Sequence, residues 1–214
     1  MAASGSRRRV EEDTSTRERL LDVALMAFAE LGYDGASTRA IAARAGVNQG
    51  LIPYYFGTKE ALWREAVDRA FAELRAVFAQ VQAEDVDRTR RVELLIRRFV
   101  RFVARRPEFA RLMTEEGKRD GPRMRWIVDR HVRPLFEVTQ AHAHRNPALA
   151  RLASGPRAAL LHYILVGAAT QLFHQGPEFR RLTGLDPADD ALIEAQADAL
   201  VAIFVAGPAH QRPR

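Results

Sequence analysis

Residues 37–60 hold the side chains whose types and spacing best suit ligand chemistry. Between Gly35 and Lys59 there are three basic residues and no acidic residue. An arginine can hydrogen-bond the O6 and N7 atoms of guanine, and a glutamine can bond an adenine edge. We therefore interpret Arg39 and Gln49 as candidate contacts to DNA bases.

Neighbouring polar residues suit the phosphate backbone of DNA. Thr38, Tyr54, Tyr55 and Lys59 can donate hydrogen bonds to phosphates or neutralise them. Lys59 falls where the next helix is predicted to begin, and the helix dipole favours an anion there. Each residue alone equally suits an ordinary helical hairpin, with half-buried tyrosines and a solvated Arg39. The combination favours nucleic-acid binding.

Two short helices joined by a glycine turn must position these residues. With a first helix from Thr38, Ala42 lies where two helices cross, and Gly46 supplies the positive φ of the turn. Three apolar residues are predicted to point inward: Ile41, Val47 and Ile52. The second helix is predicted to start around Asn48. This is the layout of a helix-turn-helix, whose second helix enters the DNA major groove.

The predicted start of the second helix exposes Asn48, Gln49 and Gly50, where Gly50 permits close approach of the backbone to DNA. Pro53 follows, and a proline deep in a helix costs about 3 kcal/mol. The sequence therefore predicts a short second helix with Pro53 in its first turn.

Composition narrows the class of protein. The 214 residues allow one or two domains, and the chain is 47% hydrophobic and 28% charged with a net charge of +6. The absence of cysteine excludes disulfides and thiolate metal sites. The arginines at 7–9 precede acids rather than an apolar stretch, so we expect no signal peptide and a cytoplasmic protein. Residues 158–177 lack charge, but His and Gln interrupt them, which favours an interface helix over a membrane span.

Apolar residues recur with helical spacing almost throughout, which predicts an all-α fold of about nine helices. Ser15 and Glu18 form a candidate capping box at the first helix, and Gly32 suits its end. A kink is expected at Pro134. The predicted organisation is a disordered tail over 1–13, a helix-turn-helix domain over 14–60, a larger helical domain over 61–207 and a tail over 208–214.

The segment resembles the TetR family of bacterial transcriptional repressors. The resemblance rests on Phe28-Ala29-Glu30-Leu31-Gly32-Tyr33, Thr38-Arg39-x-Ile41-Ala42, Ala45-Gly46-Val47 and Tyr54-Tyr55-Phe56-x-x-Lys59-Glu60-x-Leu62. It covers residues 14–66 closely and the remainder only in helical layout. It implies a homodimer on a palindromic DNA operator, with a C-terminal domain that binds a small-molecule effector and dimerises.

The resemblance also assigns roles by position. Thr38 and Lys59 match phosphate contacts of the family, Arg39 matches a base-contacting position, and Asn48-Gln49-Gly50 match the start of the recognition helix. Tyr54 and Tyr55 match backbone-contacting positions. Pro53 departs from the family, which often has tyrosine there.

Two sets of C-terminal residues complete the expected sites. The candidate dimer interface comprises Leu161, Leu165, Ala168, Ala169, Leu172, Phe173, Leu192, Ala195, Ala199, Leu200 and Phe204. The candidate effector pocket comprises Phe99, Phe102, Phe109, Met113, Trp126, Phe136 and His162. Packing within one chain is the competing interpretation of both. The arginines of residues 88–111 are expected on a solvated face.

We expect no cofactor and no metal, and interpret His131, His142 and His144 as surface histidines. The leading hypothesis is a ligand-controlled repressor, not an enzyme. A helical-bundle enzyme is one alternative, but the paired Glu-x-x-His motifs of di-iron bundles do not occur. A sequence-independent DNA-binding protein is the other.

Overall fold

The computed structural model describes the backbone of residues 2–145 and 156–206, and the side chains of 13–141 and 156–205. These residues form helices joined by short connections, as the all-α prediction expects. The helices are α1 (Ala2–Gly35), α2 (Thr38–Arg44), α3 (Leu51–Phe56), α4 (Lys59–Ala83), α5 (Arg88–Arg105), α6 (Pro107–Gly117), α7 (Pro122–Ile127), α8 (Arg133–Arg145), α9 (Pro156–His174), α10 (Gly176–Thr183) and α11 (Asp190–Val201).

Helix α1 is longer than the sequence predicts. It begins at Ala2, so the segment expected to be a disordered tail is helical over the described residues. The helix also runs through Ser15, which therefore does not cap it. The expected end at Gly32 is correct, because Gly32 has φ 69° and interrupts the helical backbone.

The chain divides into two compact units, Met1–Ala72 with Arg111–Arg119, and Glu73–Ala110 with Asp120–Arg214. The first unit is larger than the predicted 14–60 because the first half of α4 packs on α1. Trp63 and Phe28 are almost completely buried in its core. Arg69 adds polar contacts, donating to the Glu18 carbonyl at 2.7 Å and to the Asp22 carboxylate at 3.2 Å.

In the second unit, α5 packs against α9 and α11. Two arginines of α5 form ion pairs with acids of α11. Arg101 contacts Glu194 through two N···O distances of 2.5 and 2.6 Å, and Arg97 lies 2.6 Å from Asp198. Arg97 and Arg101 are therefore paired with acids of α11, whereas the sequence predicted that they lie on a solvated face.

A π-helical stretch, Val128–Val132, connects α7 to α8. It lies just before Pro134, where the kink was predicted. Proline has no amide hydrogen, and its ring would clash with the carbonyl of Arg130 in a regular α-helix. The wider π turn, in which the Arg133 amide donates to the Val128 carbonyl, accommodates it.

Helix α9 contains most of the uncharged segment 158–177. Among the described helices, none combines the length and the apolar character that crossing a bilayer requires. Several large apolar side chains of α9 are nevertheless exposed: Leu160 by 62%, Tyr163 by 71% and Ile164 by 60%.

Candidate nucleic-acid interface

Helix α2 begins with a side-chain cap and ends in a glycine turn. The Ser37 hydroxyl oxygen accepts a hydrogen bond from the Ala40 amide at 3.1 Å, which satisfies one of the free amides of the first turn. Ile41 and Ala42 are buried, as predicted. Gly46 has φ 68°, the left-handed conformation that a side chain disfavours, so the predicted turn is confirmed.

Helix α3 begins at Leu51, three residues later than predicted. The Asn48 side-chain oxygen accepts the Gly50 amide at 2.7 Å and so caps the turn that leads into the helix. Pro53 is the third residue of this six-residue helix, as the prediction required. The carbonyl of Gln49, which position 53 would contact in a regular helix, instead accepts the Ile52 amide at 3.2 Å. Pro53 therefore leaves no acceptor unsatisfied.

The predicted base-contacting residues lie on the surface. Arg39, Asn48, Gln49 and Gly50 are all exposed. Thr38 is half-buried at the start of α2. Arg39 lies in the capped first turn of α2, and the other three lie in the turn before α3. Their backbone positions are therefore fixed while their polar groups remain accessible to a ligand.

Tyr54 and Tyr55 have different environments. Tyr54 is 73% exposed, while the half-buried Tyr55 donates a short hydrogen bond to the Asp13 carboxylate of α1. This hydrogen bond to the carboxylate raises the pKa of Tyr55 to about 12. Sequence reasoning missed the contact because Asp13 precedes Tyr55 by 42 residues. In the free protein, the Tyr55 hydroxyl is thus already engaged.

Lys59 is the first residue of α4, as predicted. Its ammonium lies 4.5 Å from the centroid of the Tyr33 ring, and the Thr58 hydroxyl oxygen accepts the Ala61 amide at 3.0 Å. The cation–π contact places a positive charge beside the positive end of the helix dipole. Both features favour an anion such as a phosphate at this point.

The comparison with known families agrees with this geometry. The family model described as bacterial regulatory proteins, tetR family, matches residues 20–66, which include α2, α3 and the start of α4. The helix-turn-helix segment of this chain is that of the TetR family. The protein is a DNA-binding transcriptional regulator, and its relatives are regulators rather than enzymes.

Curated relatives of this regulator include transcriptional repressors. It is 26% identical to the repressor NicS of Pseudomonas putida over 142 residues, which is 62% of this chain and 67% of NicS. It is 28% identical to the repressor AcnR of Corynebacterium efficiens over 160 residues, 72% of this chain and 78% of AcnR. A repressor of Streptomyces coelicolor, SCO4008, is 32% identical over 107 residues, about half of each chain.

Solved structures share the fold of this chain along most of its length. FadR from Bacillus subtilis, solved in complex with stearoyl-CoA, has a TM-score of 0.65 at 16% identity, covering 89% of this chain and 98% of FadR. AibR, solved in complex with isovaleryl coenzyme A and operator DNA, has a TM-score of 0.69 at 16% identity, covering 90% and 99%.

The predicted effector-pocket residues are distributed over several helices. Phe102 of α5 and Phe109 of α6 are buried, with ring centroids 5.3 Å apart. Phe136 of α8 and His162 of α9 form a second edge-to-face pair at 5.1 Å. Burial lowers the pKa of His162. Of the remaining members, Phe99 and Trp126 are half-buried in the second unit, while Met113 belongs to the first unit.

His131 corrects the prediction of surface histidines. It is 2% exposed, and its Nδ1 lies 3.0 Å from the Arg75 guanidinium. The Trp126 ring packs edge-on against it, with centroids 5.3 Å apart. The side chains of His142 and His144 lie outside the described residues.

Burial divides the predicted dimer-interface residues. Four of them pack within the single chain and are at most 6% exposed: Ala169, Phe173, Leu200 and Phe204. Three small residues are exposed: Ala168, Ala195 and Ala199. The others are half-buried: Leu161, Leu165, Leu172 and Leu192. The exposed apolar face of α9 instead presents Leu160, Tyr163 and Ile164. Helix α9 is apolar on both faces, so the sequence pattern does not tell which face packs within the chain.

Proposed function

We propose that this protein represses transcription as a cytoplasmic homodimer bound to a palindromic DNA operator, from which a small-molecule effector releases it. The observation that carries the proposal is the helix-turn-helix of capped α2 and α3, which leaves Arg39 in the first turn of α2, and Asn48, Gln49 and Gly50 in the turn before α3, all exposed. Exposed polar side chains on a rigid helix-turn-helix suit contact with base edges.

A second copy of the chain supplies the other half of the DNA interface. Recognition helices bind successive major grooves about 34–36 Å apart, which requires two copies. A contiguous exposed apolar surface marks an interaction site. The apolar face of α9 (Leu160, Tyr163 and Ile164), together with the small exposed Ala195 and Ala199 of α11, supports pairing of these two helices with their symmetry mates.

Oligomeric state tests this interface. Light scattering coupled to size exclusion should give a dimer for the wild type and a monomer for Ile164→Glu. Leu182→Glu is the matched control, because Leu182 is 77% exposed in α10 and is not part of the proposed face. A dimeric Ile164→Glu variant, or a monomeric wild type at micromolar concentration, would exclude this face as the dimer interface.

Selection from random duplex DNA tests the regulatory function. The full-length protein should recover a palindromic sequence, and footprinting should protect both half-sites. An Arg39→Ala/Gln49→Ala variant should bind that sequence and a scrambled duplex with similar affinity. Equal wild-type affinity for all duplexes would instead indicate a sequence-independent DNA-binding protein.

Effector release requires different effector affinities in the DNA-bound and free states. The aromatic pair of Phe136 and His162 supports a ligand site in the second unit. Acyl-CoA thioesters are the first class to test, since FadR and AibR were solved with such ligands. An effector should lower operator affinity in a gel-shift titration, and Phe136→Ala should shift the effector concentration required.

A further inference from the structure

We propose that Tyr33 positions Lys59 for its contact with DNA. The Tyr33 ring holds the Lys59 ammonium at the start of α4 in the free protein, so that a phosphate meets a side chain that is already ordered and still fully charged. The inference rests on the proposed function, because the contact of Lys59 with a phosphate belongs to the same DNA interface. The predicted site residues do not include Tyr33.

The Tyr33 ring is fixed by two buried aromatic side chains. Gly32, with φ 69° and ψ 171°, turns the chain out of the helical path of α1 one residue earlier. The Phe28 ring stacks on Tyr33 with centroids 5.8 Å apart, and the Trp63 ring packs edge-on at 6.3 Å. Phe28 and Trp63 are at most 1% exposed, so they cannot move away from the half-buried Tyr33 without opening the core.

Helix α4 presents Lys59 to this ring. Lys59 and Trp63 are four residues apart, so they share one face of α4, and both contact Tyr33. The Lys59 ammonium lies 4.5 Å from the ring centroid, within the range of a cation–π interaction. The aromatic ring that packs the end of α1 against α4 therefore also sets the position of the ammonium.

The ring holds this ammonium without neutralising it. A tyrosine ring attracts a cation through its quadrupole and carries no net charge, whereas a carboxylate partner would cancel the charge. Among the side chains that the structure describes, no carboxylate pairs with Lys59, and the adjacent Glu60 pairs with Arg64 at 2.6 Å instead. The other lysine, Lys118, pairs with Glu115 at 2.6 Å. Of the two lysines, Lys59 thus keeps its full charge for an external anion.

Order in the free protein favours binding. A lysine side chain has many rotamers, and most of that freedom is lost when its ammonium meets a phosphate. A contact that already restricts Lys59 removes part of this cost from binding. The ammonium has three donors, so the side that faces Tyr33 leaves donors for a phosphate oxygen. The contact with the ring is therefore compatible with the DNA-bound state.

The test is a double-mutant cycle in the full-length protein, with the selected operator and a scrambled duplex as probes. Tyr33→Leu keeps an apolar side chain but removes the ring. It should weaken binding to both duplexes about two- to tenfold, the cost of ordering one lysine on binding. Its salt slope should stay that of the wild type, since the same phosphate is still neutralised. In the Lys59→Gln background, Tyr33→Leu should have no further effect. Tyr33→Phe keeps the ring and should bind like the wild type.

Nuclear magnetic resonance measures the contact itself. The chain has two lysines, so selective labelling of lysine gives two sets of ε-methylene signals. The ring current of Tyr33 should shift those of Lys59 upfield of those of Lys118, both in the free protein and with bound duplex. This measurement uses the wild type, so it tests the contact even where Tyr33→Leu does not fold.

The outcomes separate the two proposals. A wild type without sequence preference refutes the proposed function, while the cycle on the scrambled duplex still tests Tyr33. Equal losses from Tyr33→Leu in both backgrounds assign Tyr33 to the packing of α1 on α4 alone and overturn the inference. Wild-type affinity in Lys59→Gln, an equal loss in Tyr33→Phe, or Lys59 signals at the position of Lys118 also overturn it, and none of these results contradicts the proposed function.

Discussion

The Arg44 guanidinium donates to both carboxylate oxygens of Glu30, with N···O distances of 2.6 and 3.1 Å. The pair joins α2 to α1, and this hydrogen bond holds the pKa of the Glu30 carboxyl below its usual range. The other arginine of α2, Arg39, is exposed and makes no ion pair with any described side chain. Helix α2 therefore contains an internally paired and a freely accessible guanidinium.

This difference predicts unequal effects on DNA binding. Arg39→Ala should cost about 1–3 kcal/mol at one base pair and relax the preference there, as expected for a lost bidentate contact to guanine. Arg44→Ala should retain the preference, because its charge is already neutralised by Glu30. Competition gel shifts with single-base operator variants measure both. An unchanged preference in Arg39→Ala would refute the base-contacting role.

The two lysines of the chain provide a second comparison. Lys59→Gln should weaken binding to every duplex alike and reduce the salt slope by about one, since a phosphate contact is lost. Lys118→Gln is the control, because Lys118 follows the end of α6, outside the helix-turn-helix, and pairs with Glu115 of that helix at 2.6 Å. Fluorescence anisotropy over a salt series measures the slopes, and equal slopes for both variants would contradict the assignment.

Pro53 should stabilise α3 rather than disrupt it. In the first turn of a helix, proline forfeits no necessary hydrogen bond and restricts the unfolded chain. Pro53→Ala should therefore lower the free energy of unfolding by about 0.4–1 kcal/mol. Urea denaturation measures the change. A more stable alanine variant would mean that Pro53 strains the helix.

His162 should make stability depend on pH. Its burial lowers its pKa, so the unfolded chain binds the proton more readily than the folded one. This contribution to stability is complete above the unfolded pKa of about 6.5 and is lost as the pH falls through the folded pKa. Melting temperatures from pH 8 to pH 5 should therefore fall less in His162→Gln. A variant with the wild-type slope would assign the dependence to other groups.

The helix-turn-helix was predictable because its signals are local. Gly46 and Pro53 each restrict the backbone at their own position, so residue type alone locates the turn and limits the second helix. The short helix α10 was not predicted, because its local signals are ambiguous. Gly176 and Pro177 suggest a break in the chain, yet proline is also favoured in the first turn of a new helix, as in α10.

Contacts between distant parts of the sequence were not predictable. The hydrogen bond between Asp13 and Tyr55, and the ion pairs of α5 with α11, join residues separated by 42 and about a hundred positions. Whether a charged residue meets solvent or a partner depends on helix packing, which periodicity does not determine. For the same reason, the sequence did not identify Leu160, Tyr163 and Ile164 as the exposed apolar residues of α9.

The ion pairs between α5 and α11 fix how far the two helices can slide. Arg97 and Arg101 are one turn apart, as are Glu194 and Asp198, and the partners run in opposite order. A slide of one turn, about 5.4 Å, would leave at most one pair intact. The two ion pairs therefore fix the register of α11 against α5. They hold Ala195 and Ala199 at a fixed position along α5, so charges on α5 set the height of the two small residues of α11 that we propose meet a symmetry mate.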